Sequence, residues 1–298
     1  MKIGMIGLGK MGLNLAKNIR DNAFDVIAFD VFENARKNAE NANIPTAENL
    51  TQLIGQLETP RILWVMVPAG EPTNDTIKQL ADQLDPDDIV IDGGNSFYQD
   101  SLKHNAMLKE RGIHFFDVGT SGGMSGARHD GNFMIGGEKT VFKMIEPLFQ
   151  GIAAKNGYLY TGEAGSGHYL KMVHNGIEYG MMQAIGEGFE VLTQSEFDYD
   201  NEAVAKVWNN GSVVRSWLME LAESAFSDDP KLDEIKGVMH SSGEGAWTVE
   251  EAIKLHVPTP VISSALMMRY RSEKDDTMTG KVVAALRNGF GGHAVDHK

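Results

Sequence analysis

The residues KIGMI, positions 2–6, run directly into GLGKMG, and LNLAKNIRD follows with helical periodicity. A strand that must turn this sharply and open a helix can belong to few folds. Gly7, Gly9 and Gly12 form G-x-G-x-x-G in the setting where that spacing has a physical meaning. The first glycine permits the tight turn, the second lets backbone approach a pyrophosphate, and the third allows close helix packing. The helix N-terminus then faces the phosphates. Gly7, Leu8, Gly9, Lys10, Met11 and Gly12 are therefore candidate cofactor-binding residues.

A second strand, DVIAFD, ends in Asp30, 18 residues beyond Gly12. An acidic side chain there accepts both ribose hydroxyls of NAD and repels the 2′-phosphate of NADP. Val31 and Phe32 supply no cation, and Arg36 and Lys37 read as decoration of the next helix, so NAD is the expected cofactor. Further strands are expected at RILWVMV (61–67), DIVIDGG (88–94) and HFFDVGT (114–120), separated by helical stretches such as TNDTIKQLADQL. That alternation implies a doubly wound α/β domain with a mainly parallel sheet, whose ligands gather at the C-terminal strand ends. Val67, Pro68, Ala69 and Asn95 join the cofactor set on this ground, with Asn95 and Ser96 toward the nicotinamide end. The segment TSGGMSGARHDGNFMIGG is too rich in glycine for an ordinary helix. It reads either as a flexible loop or as a backbone cradle for carboxylate and hydroxyl groups of a substrate.

After GEAGSG the patterns turn helical, at 166 to about 194, about 201 to 226, 231–240, 248–255 and 261–288. The expected organisation is a Rossmann-like dinucleotide-binding domain over 1–164 and an all-α substrate and dimerisation domain over 165–298. The first of these helices, GHYLKMVHNGIEYG, carries Lys171, His174, Asn175 and Glu178 at i, i+3, i+4 and i+7, one face of a helix. A solvated face would account for that spacing. The apolar continuation MMQAIGEGFEVL, however, is expected to enter the interior, and a charged stripe on such a helix needs partners or a task. The stripe is expected to line an interdomain cleft.

Composition narrows the classes. The 298 residues, 42% hydrophobic and 23% charged, allow two domains with sizeable cores. No run approaches a membrane span or a secretory h-region, so a cytoplasmic location is expected. Without cysteine there is no disulfide framework, Cys-based zinc site or thiol nucleophile. His293 and His297 flank Asp296 at the C-terminal end, where solvated residues are the expectation, and no metal is predicted. A net charge of −14 argues against nucleic acid or an anionic membrane as partner, but a local cluster of cations still admits a small anionic substrate.

Taken together, GLGKMG, DGGNS, TSGGMSGAR and GHYLKMVHNGIEYG resemble the decarboxylating 6-phosphogluconate dehydrogenases of the β-hydroxyacid dehydrogenase superfamily, over nearly the whole chain. The length is similar to the short bacterial form, which lacks the duplicated helical domain of the long one. The resemblance implies that Lys171 is the catalytic base and Glu178 the acid. It implies that Asn95, Ser121, Gly122, Gly123, His174 and Asn175 contact the sugar acid. Tyr179, Thr248, Arg269, Arg287 and His293 would complete the substrate site, Tyr179 on the phosphate and the last two supplied by the neighbouring subunit. The chain departs from the long form at Ala246, where KWT becomes AWT and one phosphate cation is lost. The implied reaction oxidises and decarboxylates 6-phospho-D-gluconate to D-ribulose 5-phosphate with reduction of NAD+. A lysine acting as base near neutral pH must drop from about 10.4 to roughly 7–8, about 4 kcal/mol, which calls for burial. The apolar run PVISSALMM needs a covering surface, and a homodimer, possibly a dimer of dimers, is expected. The alternatives are another β-hydroxyacid dehydrogenase acting on a small acid without phosphate, and a non-catalytic NAD sensor.

Overall fold

The structure, a computed structural model, describes residues 1–296; His297, paired with His293 in the sequence reading, lies outside them. The chain divides into two compact units, Met1–His174 and Asn175–Lys298.

The first unit is a seven-stranded sheet wrapped by helices. In chain order its elements are β1 (Lys2–Ile6), α1 (Lys10–Asp21), β2 (Asp25–Phe29), α2 (Glu33–Asn41), α3 (Leu50–Gly55), β3 (Ile62–Val65), α4 (Glu71–Ala81), β4 (Ile89–Asp92), α5 (Tyr98–Lys109), β5 (His114–Ser121), α6 (Gly123–Arg128), β6 (Gly131–Gly137), α7 (Lys139–Ile152) and β7 (Ala153–Gly162). The long helix α8 (Ser166–Thr193) follows and crosses from the first unit into the second. Strand order is β2-β1-β3-β4-β5-β6-β7, with the first five parallel. Because β1 is flanked by β2 on one side and β3 on the other, the chain changes direction across the sheet between β1 and β3. The loops after those two strands diverge and leave a crevice at their C-terminal ends.

Alternate strand residues feed two cores. Ile3, Met5, Ile62, Trp64, Ile89, Ile91, Phe116 and Val118 face one way. Ile6, Leu63, Val65, Val90 and Phe115 face the other. Strands buried on both faces read as continuous apolar runs, which is why ILWV and IVID are legible as central parallel strands.

The sheet departs from the expectation past β5. The glycine-rich segment is neither one loop nor one cradle: its first part forms the single-turn α6, and GNFMIGG is β6, antiparallel to β5. β7, a strand not foreseen in the sequence, then pairs parallel to β6.

The second unit is helical. The C-terminal part of α8 is followed by α9 (Asn201–Asn209), α10 (Trp217–Asp228), α11 (Gly243–Lys254), α12 (Pro260–Ser272) and α13 (Met278–Gly291). Several expected helices are corrected here. The stretch 201–226 breaks where Gly211 takes φ +86° and Asn209 Oδ1 accepts the Ser216 N–H; Ser216 then caps α10 by accepting from Met219 N. The stretch 261–288 breaks at Asp276, φ +47°, and restarts on the Thr277 cap. Residues 231–240 are not helical: the Asp229 carboxylate accepts from Lys231 N and Glu234 N, offering those amides a turn instead of a helix ladder. The second half of α8 is not interior within this chain either. Phe189 is buried with Ala205, Met219 and Phe226, while Met181 and Val191 are exposed. No described helix is long and apolar enough to cross a membrane.

Candidate active site

In the first unit the glycine turn lies at the end of β1, on the crevice between β1 and β3. Gly7 has φ +94°, and a Cβ there would lie 2.4 Å from the Met66 carbonyl oxygen. A Cβ on Gly12 would lie 2.0 Å from the Gly7 oxygen. A Cβ on Gly9 would meet nothing within 4 Å, so the middle of the turn opens outward, as a pyrophosphate cradle requires. Gly9 is the N-cap of α1 and no side chain caps that end, leaving the first-turn amides for a ligand. Leu8, Lys10 and Met11 fill the same turn, and Val67, Pro68 and Ala69 follow β3 on the other side of the crevice, where Thr73 Oγ1 donates to the Pro68 carbonyl. These features fit a dinucleotide.

Asp30 follows β2. Its Oδ2 accepts from Leu8 N at 2.7 Å and its Oδ1 from Phe32 N at 2.8 Å, which ties the acidic corner to the glycine turn. Lys37 pairs with Glu33 on the surface of α2, as expected of a helix decoration. Arg36 does not. Its Nη1 donates to the Asp30 carbonyl at 2.7 Å, so a guanidinium stands beside the ribose corner after all.

At the end of β4, Asn95 is exposed and Ser96 is buried. Ser96 Oγ and Asp92 Oδ2 are buried polar atoms with no partner among the described residues. On β5, Ser121 Oγ lies 3.3 Å from His174 Nε2, and Gly122, in the left-handed region, starts α6 at Gly123. Lys171 is 6% exposed and packs on Gly119, whose missing Cβ leaves room for it. The first unit thus brings Lys171, His174 and Ser121 to one face of β5.

In the second unit the face of α8 that begins at Asn175 meets the start of α11. Asn175 Nδ2 donates to Glu244 Oε1 at 3.3 Å, and Thr248 packs on Gly176. Tyr179 is buried against Gly245, its hydroxyl accepts from Ser242 N at 3.1 Å, and the Arg269 guanidinium lies 3.7 Å above its ring. Arg269 Nη1 also donates to the His240 carbonyl at 2.7 Å. Tyr179, Ser242 and Arg269 thus form one corner with two hydroxyls and a fixed cation, while the Thr248 hydroxyl donates to the Glu244 carbonyl at 2.8 Å. Ala246 packs with the small apolar cluster of Tyr179, Ala265 and Leu266 and adds no charge. Glu178 lies on α8 one residue before Tyr179 and is half-buried. Arg287 and His293 stand apart, exposed at the end of α13, a helix without a buried residue.

Sequence reasoning missed Glu244, Asp117 and His168. Glu244 is 3% exposed and its Oε2 has no partner among the described residues. The signal available for Asp117 was an acid in an otherwise apolar strand, HFFDVGT.

Comparison with known proteins also divides the chain in two, with the boundary just before α8 instead of within it. Residues 2–162 match the model of the NAD binding domain of 6-phosphogluconate dehydrogenase, and residues 167–296 match that of the 6-phosphogluconate dehydrogenase C-terminal domain. The chain belongs to the 6-phosphogluconate dehydrogenase family. Among family members, the Bacillus subtilis protein YqeC, named provisionally as a 6-phosphogluconate dehydrogenase, is 57% identical over the full length of both chains. The NAD(+)-dependent decarboxylating 6-phosphogluconate dehydrogenase of Haloferax volcanii is 40% identical, covering 100% of this chain and 99% of its own. The Plasmodium falciparum 6-phosphogluconate dehydrogenase, solved with NADP+ and with 6-phosphogluconate, superposes with a TM-score of 0.83 at 30% identity, over 99% of this chain and 66% of its own.

Proposed function

We propose that the protein is a cytoplasmic, NAD-dependent enzyme that oxidises and decarboxylates 6-phospho-D-gluconate to D-ribulose 5-phosphate and CO2. The observation that carries the reading is Lys171, buried on α8 against Gly119 with His174 on Ser121, in the same compact unit as an open dinucleotide turn. NAD+, which the Gly7–Gly12 turn and Asp30 would hold, would supply the acceptor for the hydride leaving C3 of the sugar acid. Lys171, neutral, takes the proton of the 3-hydroxyl as that hydride leaves. The resulting 3-keto acid loses CO2 because the keto oxygen takes up the electron pair, and protonated Lys171 returns its proton to that oxygen to give the enediol. Glu178, seven residues on along α8, delivers a proton to C1 of the enediol while Lys171 takes back the proton of the adjacent enol oxygen, leaving the ketone. Asn95, Ser121, Gly122, Gly123, His174 and Asn175 hold the sugar acid. Tyr179, Thr248 and Arg269, with Arg287 and His293 of a second subunit, hold the phosphate. The functional division falls at 164/165, and the enzyme is a homodimer. The exposed apolar side chains of α12 and α13, Val261, Met267, Val283, Leu286 and Phe290 among them, support a partner surface over a C-terminal helix closed on its own chain.

The deciding experiment mixes purified protein, NAD+ and 6-phosphogluconate and follows NADH absorbance together with released CO2. Absence of both products removes the reading. One observation favours a second reading, action on a 3-hydroxy acid without phosphate: Ala246 leaves the phosphate corner short of a cation. Gluconate turned over as well as its phosphate ester would select it.

NAD preference rests on Asp30, and Arg36 gives it a sharper test. Asp30→Ser is expected to narrow the NAD over NADP ratio in kcat/KM, since repulsion is removed and the Arg36 guanidinium remains to meet a 2′-phosphate. Adding Arg36→Ala should cancel that gain. Wild-type kcat/KM with NADP equal to that with NAD would overturn the preference itself.

A further inference from the structure

A buried acid that the proposed reaction does not use lies behind Lys171. Asp117, Gly119 and Ser121 alternate along β5 and so share a face. Each receives a residue of α8, and those residues are spaced by three. Asp117 Oδ2 accepts from His168 N at 2.7 Å, Gly119 seats Lys171, and Ser121 meets His174.

Asp117 is 0% exposed, and its two carboxylate oxygens accept backbone amides at the start of α8, Oδ1 from Gly165 N at 2.6 Å and Oδ2 from His168 N. Those amides precede the first intrahelical bonds and need an outside acceptor. The nearby hydroxyl of Ser166 is engaged with Thr161 Oγ1 at 2.7 Å, so the cap comes from the sheet instead. A second tie works sideways. His168 Nδ1 lies 2.7 Å from Ser101 Oγ on α5, both buried. Gly167 closes the contact, because a Cβ there would be 2.3 Å from the Asp117 carbonyl oxygen. One turn later, a Cβ on Gly119 would fall 2.4 Å from Lys171 Cβ, so only a glycine at 119 admits the lysine this close to β5.

We propose that Asp117, with Ser101 acting through His168, is a positioning residue for Lys171: it fixes how far α8 stands along β5 and therefore where the amine meets substrate. The role rests on Lys171 being the base. Burial pushes the Asp117 carboxyl up, opposed by His168 and the two amides, so the group is kept at a cost that a neutral core residue would not carry. The other titratable groups of this region are His104 on α5, itself pushed down by burial, and Asp92 on β4. A slip of α8 by one residue would move Lys171 about 1.5 Å and turn it about 100°, and misplacement of about 1 Å costs about 10²-fold in rate.

The test is Asp117→Asn, whose amide can accept only one of the two N–H groups and sets a donor against the other. Turnover of 6-phosphogluconate is measured per NAD-binding site, so that any misfolded fraction is discounted. The expected result is a kcat about 10²-fold lower with Kd and KM for NAD+ unchanged. If Asp117→Asn does not fold, Ser101→Ala removes only the partner of His168 and should lower kcat in the same normalised assay by several-fold. Wild-type kcat per site in a folded Asp117→Asn, or in Ser101→Ala where that is the variant available, overturns the proposal. Wild-type protein without turnover, or an active Lys171→Ala, overturns the assignment of Lys171 and this role with it. An active wild type and a dead Lys171→Ala beside a normal Asp117→Asn remove the positioning role alone.

Discussion

Lys171→Ala is expected to lower turnover by about 10²- to 10⁴-fold, the usual loss on removing a positioned base, while the affinity for NAD+ stays at its wild-type value. The two effects separate because the glycine turn and Asp30 belong to other loops of the sheet, linked to each other by the Leu8–Asp30 hydrogen bond and not through α8. Fluorescence titration with NAD+ and steady-state NADH production on one preparation measure both. Residual turnover within a few-fold of wild type would mean that Lys171 is a buried structural cation. Glu178→Gln in the same assay should also reduce turnover, and an unchanged rate would leave the last protonation to another group.

The second large effect concerns subunits. Arg287→Ala removes a charge-assisted contact worth about 1.5–3 kcal/mol, so it should lose about 10- to 100-fold in kcat/KM. Arg287 is exposed on a helix that buries nothing within its own chain, which is what a residue offered to a neighbour would look like. Mixing Lys171→Ala with Arg287→Ala under conditions of subunit exchange should therefore raise activity above that of either variant alone. Each heterodimer holds one site with both residues intact. If exchange is verified by mass and activity does not exceed that of Arg287→Ala alone, Arg287 serves its own subunit and the shared-site reading is wrong.

Legibility followed the range of the interactions involved. The strands of the parallel sheet and the first helix were readable because ILWV and IVID must be apolar on both faces and because GLGKMG sits between a strand and a helix. β6 was not, since three of the seven residues of GNFMIGG are glycines and only pairing across to β5 makes them a strand. The helical breaks at Gly211 and Asp276 come from positive-φ residues and side-chain caps that a hydrophobic period does not register. At the site, spacing alone put Lys171 and His174 on one face of α8, but their receptors on β5 are some 50 residues away in sequence. Arg36 was misread for a related reason: whether a cation decorates a helix or bends back to a carbonyl is decided by the loop before the helix, not by its position on it.

Arg269 carries a last consequence. Its guanidinium is stacked on the Tyr179 ring and tied to the His240 carbonyl. A long flexible side chain recruited only on ligand arrival loses about 0.5–1.5 kcal/mol of rotamer freedom at that moment. Here that loss falls on folding, so under the proposed role of Arg269 an incoming anion would meet a cation already held in place. A lysine at this position would keep the charge, but without a planar group to lie on the ring it would have to be immobilised at every encounter.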